Sequence, residues 1–159
     1  MSLTRKRIIY DRSDEEPYMI RYHLLFREKS EHLEKNVDVP FNLYLHKILL
    51  SDEPTFHDHP WPWATFIISG GYYEHTPKGT FWRGPGSWRI KKSTDLHWLE
   101  LKKNKPCWTL FWHGTRHRIW GFQTLSGWTD YRTFLKNEKK TQAENSIHKL
   151  QNHWNTLNR

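Results

Sequence analysis

The sequence predicts an all-β domain, an antiparallel β-barrel or sandwich with one helix added at its C-terminal end. Between residues 41 and 124, short runs rich in β-branched and aromatic residues alternate with turns that contain Pro and Gly, which is typical of antiparallel barrels and sandwiches. The length of 159 residues fits one domain rather than two. Aromatic residues make up 16% of the chain and include ten Trp, so they can supply core area that the modest 36% hydrophobic content lacks.

The predicted strands follow one another along most of the chain. Residues up to about 16 are polar and predict an extended arm, and residues 18–26 predict the first strand. Residues 30–34 have helix-cap chemistry with little apolar length behind it, so at most one helical turn is expected there. Further strands are predicted at residues 41–50, 64–73, 80–83, 87–91, 97–101, 108–112 and 118–124.

The C-terminal segment has a different periodicity. Ile147, Leu150, Trp154 and Leu157 recur at helical spacing on a polar stretch, which predicts an amphipathic helix over residues 139–159. We expect its apolar stripe to pack on the barrel formed by residues 1–138 or on a second subunit, which makes a homodimer one expectation. Residues 127–135 are expected to form a loop with room for one helical turn.

The charge of the chain raises the question of an anionic partner. Lys and Arg number 25 against 17 Asp and Glu, which gives a formal net charge of +8 with His neutral. The excess lies in small separate clusters, at residues 5–7, 91–92, 102–103 and 139–140, which favours a solvated surface over a nucleic-acid groove. A small-molecule partner is therefore expected in preference to nucleic acid.

The single cysteine, Cys107, excludes an intramolecular disulfide framework and fits a reducing cytoplasmic compartment. It lies in an apolar run, so a buried and inert thiol is expected. The sequence also shows no signal-peptide pattern and no apolar stretch of membrane-spanning length.

A histidine pair is the main candidate for chemistry. In a strand, residues two apart share a face, so His57 and His59 would point together while Asp58 points away. His97, which begins a predicted strand after a turn, is the best candidate for a third nitrogen. Three neutral imidazoles suit Fe(II), Ni(II), Cu(II), Mn(II) or Zn(II) and leave positions open for water, dioxygen or a chelating substrate. The alternative is a metal-free barrel in which the eleven histidines are ordinary polar side chains.

Other polar residues are candidates for a pocket. Tyr44 and His46 share one face of a predicted strand, and Arg89, if it faces inward, would hold a carboxylate or phosphate in bidentate fashion. Glu74 is a candidate fourth ligand or general base, and a surface position at a hairpin is its expected alternative. We therefore take Glu74 and Tyr44 as candidate catalytic residues, and Arg89, His46, His113 and Trp63 as candidate substrate-binding residues, although each such residue is more often structural.

The segment around the histidine pair resembles the first motif of the cupin superfamily, G-x5-H-x-H-x3-4-E-x6-G. His57 and His59 match its two histidines, and Gly70 matches its closing glycine. Trp63 stands at the acidic position, and Ser51 stands where the motif opens with glycine.

A later segment resembles the second cupin motif, G-x5-P-x-G-x2-H-x3-N. Gly86 and His97 match its first glycine and its histidine, whereas Lys92, Thr94 and Leu101 replace the other positions. Two motifs in the right order, over residues 51–101, are moderately specific. The resemblance implies a cupin-type jelly-roll barrel that binds a metal ion.

The tryptophan at position 63 decides which cupins the chain resembles. Many cupins use the motif glutamate as a fourth ligand, so Trp63 leaves a three-histidine set similar to that of the thiol dioxygenases, which use iron(II). The cysteine that some of those enzymes carry after the second histidine is missing here, so cysteine is a doubtful substrate. The chain also resembles small cupins of phages and large viruses, a likeness that rests on residues 57–61, 69–74 and 120–122 and implies no particular activity.

These observations predict a small metal-binding cupin. We expect an iron(II) oxygenase or dioxygenase that acts on a small anionic molecule, with nickel, manganese or zinc as alternative metals. One alternative is a non-catalytic cupin that binds a small ligand, a partner protein or nucleic acid. Another is a sugar-nucleotide isomerase or epimerase, which would need an acid/base pair of histidine and tyrosine across the cavity.

Overall fold

The computed structural model describes residues 6–11, 16–25 and 40–157. The helical turn predicted over residues 30–34 lies outside these ranges. The strands are β1 Lys6–Tyr10, β2 Pro17–His23, β3 Asn42–Ile48, β4 Trp63–Ser69, β5 Tyr72–Thr76, β6 Gly79–Arg83, β7 Trp88–Lys91, β8 Trp98–Leu101, β9 Cys107–His113, β10 Gly121–Thr124 and β11 Gly127–Asp130. A 3-10 turn spans Lys102–Asn104, and helix α1 spans Tyr131–Leu157.

Six strands form a large antiparallel sheet in the order β1-β2-β3-β9-β4-β7. Burial alternates strictly along β3, so that Asn42, Tyr44, His46 and Ile48 face the interior. The N-terminal arm takes part in this sheet, because β1 pairs with β2 from Lys6 opposite Tyr22 onward.

The remaining strands form a second layer. β6, β5 and β8 are one sheet and β10 and β11 another. His57 connects the two, since it forms antiparallel bridges with both His97 and Phe122. The first histidine of the predicted pair therefore lies in the centre of this layer.

A pair of glycines moves the chain from one layer to the other. The predicted strand over residues 64–73 is divided at Gly70 and Gly71, whose φ angles are 80° and 140°. A Cβ on Gly70 would lie 2.4 Å from the carbonyl oxygen of Pro106, so only glycine fits this approach of two backbones. Because the chain turns here, β5 begins a new sheet rather than continuing β4.

The apolar core lies at one end of the space between the layers. Ile48, Ile67 and Cys107 of the large sheet pack against Tyr72 and Leu101 of the second layer. The thiol is buried and free, as the sequence predicts. The rest of the interior is mainly polar and aromatic, which is the composition expected of a binding cavity rather than of a packed core.

The C-terminal helix begins at Tyr131, earlier than the boundary expected at residue 139. Asp130 accepts hydrogen bonds from the backbone N–H groups of Arg132 and Thr133, both at 3.1 Å, which starts the helix. Only the first turns pack on the domain, and the side chains of residues 139–149 are exposed, with Ile147 at 55%. Within the described residues, no helix is long and apolar enough to span a membrane.

Candidate metal centre

Backbone hydrogen bonds bring two of the three predicted histidines face to face. His57 and His97 exchange two N–H to carbonyl bonds, each 3.0 Å long. The backbone N–H of His59 donates to the carbonyl of Ser93 at 3.0 Å, which ties the second histidine of the pair to the chain before His97. The three side chains are therefore held by two segments that lie forty residues apart in sequence.

The imidazoles converge on one point. One ring nitrogen from each of His57, His59 and His97 lies within 4.8 Å of the other two. The Nε2 atoms of His59 and His97 are 2.8 Å apart. Within the part of the chain that the structure describes, no other carboxylate or thiol joins this group.

This geometry fits a metal ion. Two nitrogen ligands at about 2.1 Å from one ion lie about 3.0 to 3.4 Å apart in octahedral or tetrahedral coordination, so the ring positions need to shift only slightly. Burial, followed by the charges of His97 and His57, holds the pKa of His59 well below its usual range. A neutral imidazole is the form that coordinates a cation.

The side chain of Asp58 points away from the two histidines, as strand alternation predicts. It anchors the segment of residues 57–59 through hydrogen bonds on the opposite face. It is 2% exposed and accepts hydrogen bonds from the backbone N–H of Gly121 at 2.7 Å and the indole N–H of Trp128 at 2.9 Å. The guanidinium of Arg118 donates a further hydrogen bond to the same carboxylate and forms an ion pair with it. The carboxylate thus joins the histidine segment to β10 and β11.

Glu74 lies behind His97 rather than at the surface, so the expected surface position is wrong. Its side chain is 2% exposed, and its Oε1 lies 3.4 Å from Nδ1 of His97. Its Oε2 accepts from Arg83 Nε at 2.8 Å, and Lys91 Nζ lies 3.8 Å from Oε1. The carboxylate faces the ring nitrogen opposite the one that faces His59, so it orients a ligand instead of joining the ligand set.

The environment keeps the Glu74 carboxylate ionised. Burial acts to raise the pKa of Glu74, but the contacts with His97 and Arg83 and the charge of Lys91 outweigh it and lower the pKa to about 2. An ionised carboxylate favours the proton on Nδ1 of His97 and so leaves Nε2 to bind a cation.

Comparison with known structures identifies the fold. No family model matches the sequence, and no curated protein matches it. The solved structure of Rru_A2000 from Rhodospirillum rubrum, a cupin-2 domain, is similar with a TM-score of 0.56 at 11% identity, over 77% of this chain and 76% of its own. This chain has the cupin fold. A structure of iron(II) HppE is similar to this chain with a TM-score of 0.52 at 11% identity, over 71% of this chain and 58% of the HppE chain. At such identities the likeness shows the fold alone, and the resemblance to phage and viral proteins stays a prediction.

Trp63 occupies the position of the acidic residue in the first cupin motif. Its ring centroid lies 4.9 Å from that of His97 and 5.2 Å from that of His59, and the residue is 3% exposed. The indole therefore forms a wall of the candidate metal centre, at the position where many cupins have a ligand.

Three other predicted site residues lie together on the inner face of the large sheet. Tyr44 is fully buried, and its hydroxyl lies 3.0 Å from Nε2 of His113. The ring of His46 stacks on Tyr44 with centroids 5.5 Å apart. Burial, followed by the charge of Arg21, holds the pKa of His46 well below its usual range, so this ring is neutral.

Arg89 was expected to face the interior and bind an anionic group, but its guanidinium has another partner, and a second arginine lies on the inner face instead. Arg89 pairs with the buried Thr65 and so starts from the inner face, but its guanidinium donates to the carbonyl of Trp88 at 2.9 Å. Arg21, which sequence reasoning missed, pairs with His46 on the inner face of β2. Only the pairing of β2 with β3 reveals this position, and the sequence carries no signal for that pairing.

Proposed function

We propose that this protein is a mononuclear metal-dependent cupin oxygenase, with iron(II) held by His57, His59 and His97. The convergence of three ring nitrogens within 4.8 Å, with no carboxylate or thiol among them in the described residues, supports this proposal. Three protein ligands leave coordination positions for a substrate and dioxygen, whereas a sealed structural site would fill all four.

The residues around the triad suit that chemistry. When bound, iron(II) would supply one-electron and dioxygen chemistry that side chains lack. Glu74 holds the orientation and tautomer of His97, and Trp63 covers one side of the centre and keeps water from it. The HppE structure that shares this fold is an iron(II) form, which agrees with the choice of metal.

Anaerobic titration of metal-free protein with iron(II) tests the metal site, and zinc serves as a redox-inert second probe. We expect one equivalent of either ion to bind to the wild type and to His148→Ala, a control at an exposed helix position. His59→Ala should lose at least tenfold in affinity, because it removes one of three ligands. Equal binding by His59→Ala and the control would refute the site.

Oxygen consumption tests the activity. The iron-loaded protein should consume dioxygen in the presence of one member of a panel of small carboxylates, thiols and phosphonates, and the His59→Ala protein should not. A fully iron-loaded protein that consumes no oxygen with any member of the panel would contradict the oxygenase proposal and leave metal binding intact.

The Tyr44 and His113 pair supplies the residue types, but not the placement across the cavity, for a second candidate function, an isomerase or epimerase of sugar nucleotides. A buried hydroxyl bonded to an imidazole at 3.0 Å is an arrangement that can transfer a proton. The two residues lie on adjacent strands of one sheet rather than across the cavity. This function predicts that metal-free protein incorporates deuterium from D2O into a sugar nucleotide and that Tyr44→Phe abolishes the exchange; absence of exchange in the wild type would exclude it.

A further inference from the structure

The outer face of the large sheet carries apolar side chains that the candidate metal centre does not use. Residues 63, 65 and 67 of β4 are buried, so the residues between them point outward. In the register of the sheet, Ala64 pairs with both Ile90 and Trp112, and Phe66 pairs with both Trp88 and Leu110. These six residues of β7, β4 and β9 form two adjacent rows, which we call the outer apolar array.

The array is open to solvent. Ile90 is 70% exposed and Trp88 62%, while Phe66 is 42% and Trp112 37% exposed. Helix α1 packs on β10 and β11, in the other layer of the domain. Large apolar side chains at such exposure, next to one another on three strands, are uncommon on a monomeric protein and indicate a surface that another molecule covers.

The apolar surface continues from the array onto β3. Leu45 pairs with Leu110, and Leu43 pairs with Trp112. Both leucines are half-buried on the same outer face. The two rows of the array therefore extend across four strands of the sheet.

The size of this surface matches what one partner contributes to a stable dimer. With about 150 to 250 Å² for each large side chain, the exposed fractions of the array and its neighbours on β3 amount to roughly 500 Å² of apolar surface. An interface of standard size buries about 800 Å² per partner, and about 65% of that area is apolar in homodimers. The array therefore supplies the apolar area that such an interface needs.

The charge distribution favours a second copy of this chain as the partner. The six residues of the array carry no charge, although the chain as a whole has a formal net charge of +8. An acidic partner would be recognised through lysine and arginine side chains, which the array lacks. An uncharged surface can pack against a copy of itself without placing like charges together. Lys47, one row further along the same face, lies over the ring of Trp108 at 5.4 Å and belongs to a polar rim.

We propose that the outer apolar array is a homodimer interface, at which the large sheets of two copies pack face to face. Packed sheets lie about 10 Å apart with interdigitating side chains, and a two-fold contact uses the same surface on both copies. Trp88 and Trp112 then supply the aromatic anchors of the interface. This surface differs from the stripe of the C-terminal helix that the sequence suggested for a dimer, and the inference is independent of the proposed function.

Light scattering during size-exclusion chromatography of the full chain tests the interface. At about 50 µM, above the micromolar dissociation constants of the weaker interfaces of standard size, we expect twice the chain mass of 19.5 kDa. Ile90→Glu should elute as a monomer, because the dimer would bury two carboxylates without partners. Ile119→Glu is the matched control: Ile119 is 57% exposed and lies outside the large sheet, so this variant should remain a dimer.

Trp88→Gln adds no charge and tests the interface even if Ile90→Glu fails to fold. It should raise the dissociation constant of the dimer about tenfold or more, since tryptophan is enriched among the residues that dominate interfaces. Circular dichroism shows whether each variant keeps the β-sheet spectrum of the wild type. A folded Ile90→Glu or Trp88→Gln protein that dimerises as tightly as the wild type would overturn the proposal.

A monomeric wild type would also overturn it, and flotation with vesicles of phosphatidylcholine and phosphatidylserine then identifies the other occupant. Vesicle binding that Trp88→Gln abolishes would assign the array to a lipid surface. A monomer that binds no vesicles would leave the array to a different protein. Added salt gives a further readout, because the apolar dimer should not weaken as salt rises, whereas attraction of this basic chain to anionic lipid should.

Discussion

Oε1 of Glu74 lies 3.4 Å from Nδ1 of His97, while Nε2 of the same ring faces His59 at 2.8 Å. Glu74→Gln should weaken zinc binding by roughly 10- to 100-fold, the usual cost of losing a carboxylate behind a histidine ligand. The amide can no longer hold the proton on Nδ1 by charge, so Nε2 becomes a poorer ligand. Competition with a chelator of known affinity measures the change.

A matched control for that substitution is Glu100→Gln. Glu100 lies on the exposed face of β8 and bonds to His75 at 2.8 Å, so Glu100→Gln also removes a carboxylate from a histidine, but from His75 at the surface and not from a member of the triad. Zinc affinity should remain at the wild-type value. If both variants lose affinity equally, Glu74 acts on general stability and not on His97.

Much of the fold follows from residue patterns that act locally. The all-β class, the cupin-type architecture and the added C-terminal helix are confirmed, because strand alternation and turn residues are properties of short segments. The spacing of His57 and His59 predicted which side of the segment each ring occupies, and the family motif supplied His97. The structure brings these three together.

The parts that the sequence did not reveal depend on pairing between distant segments. The sequence left Glu74 either as a site residue or at a hairpin surface, since the glycines before it prevent its facing from being inferred by alternation, and the structure buries it in β5, which begins a different sheet. Arg21 faces inward only because it pairs with His46. The helix begins at Tyr131, where Asp130 caps the first turn and the ring of Tyr131 stacks on Trp120 with centroids 4.9 Å apart; helical periodicity further along the chain cannot predict that contact.

Stability should fall as the pH falls below about 6.5, the usual pKa of an unfolded histidine. Burial holds the pKa of His46 low in the folded state, so below pH 6.5 the unfolded chain binds a proton that the folded protein does not. His46→Gln keeps an acceptor for Arg21 and removes the titrating ring. Urea unfolding of metal-free protein between pH 5 and 7 should show a shallower pH dependence for the variant, by up to about 1.4 kcal/mol per pH unit. If the free energy of unfolding depends on pH in the same way for the wild type and for His46→Gln, His46 is not held neutral in the folded protein.

The Cys107 thiol should react slowly with a disulfide reagent at pH 8 in the folded protein. Burial raises the pKa of Cys107 to about 11, with a smaller opposing effect from a hydrogen bond with the backbone of Gly71, so little thiolate is present. Because this pKa lies above its unfolded value, its contribution to stability is complete below about pH 9 and is lost as the pH rises toward 11. Release of the coloured thiolate should become fast in denaturant; equally fast release without denaturant would contradict the burial.

Two glycines with the same left-handed backbone conformation allow conformational strain to be separated from steric conflict. Gly70 and Gly86 have φ angles of 80° and 82°, so an alanine at either site carries a similar left-handed strain of about 1 kcal/mol or more. A Cβ at Gly86 would meet nothing within 4 Å, whereas a Cβ at Gly70 would lie 2.4 Å from the backbone oxygen of Pro106. The difference between Gly70→Ala and Gly86→Ala therefore isolates the close approach of the two chains.

We expect Gly70→Ala to lower the free energy of unfolding by about 2 kcal/mol or more beyond the effect of Gly86→Ala, because backbone atoms at both sides resist displacement. Chemical denaturation of both variants measures the difference. Since Gly70 is where β4 gives way to β5, its substitution should also displace Glu74 from His97 and so reduce zinc affinity, while Gly86→Ala leaves that affinity unchanged. Equal stability of the two variants would show that the backbone at Gly70 can adapt to a side chain. Equal zinc affinity would show that the metal centre does not depend on the conformation at Gly70.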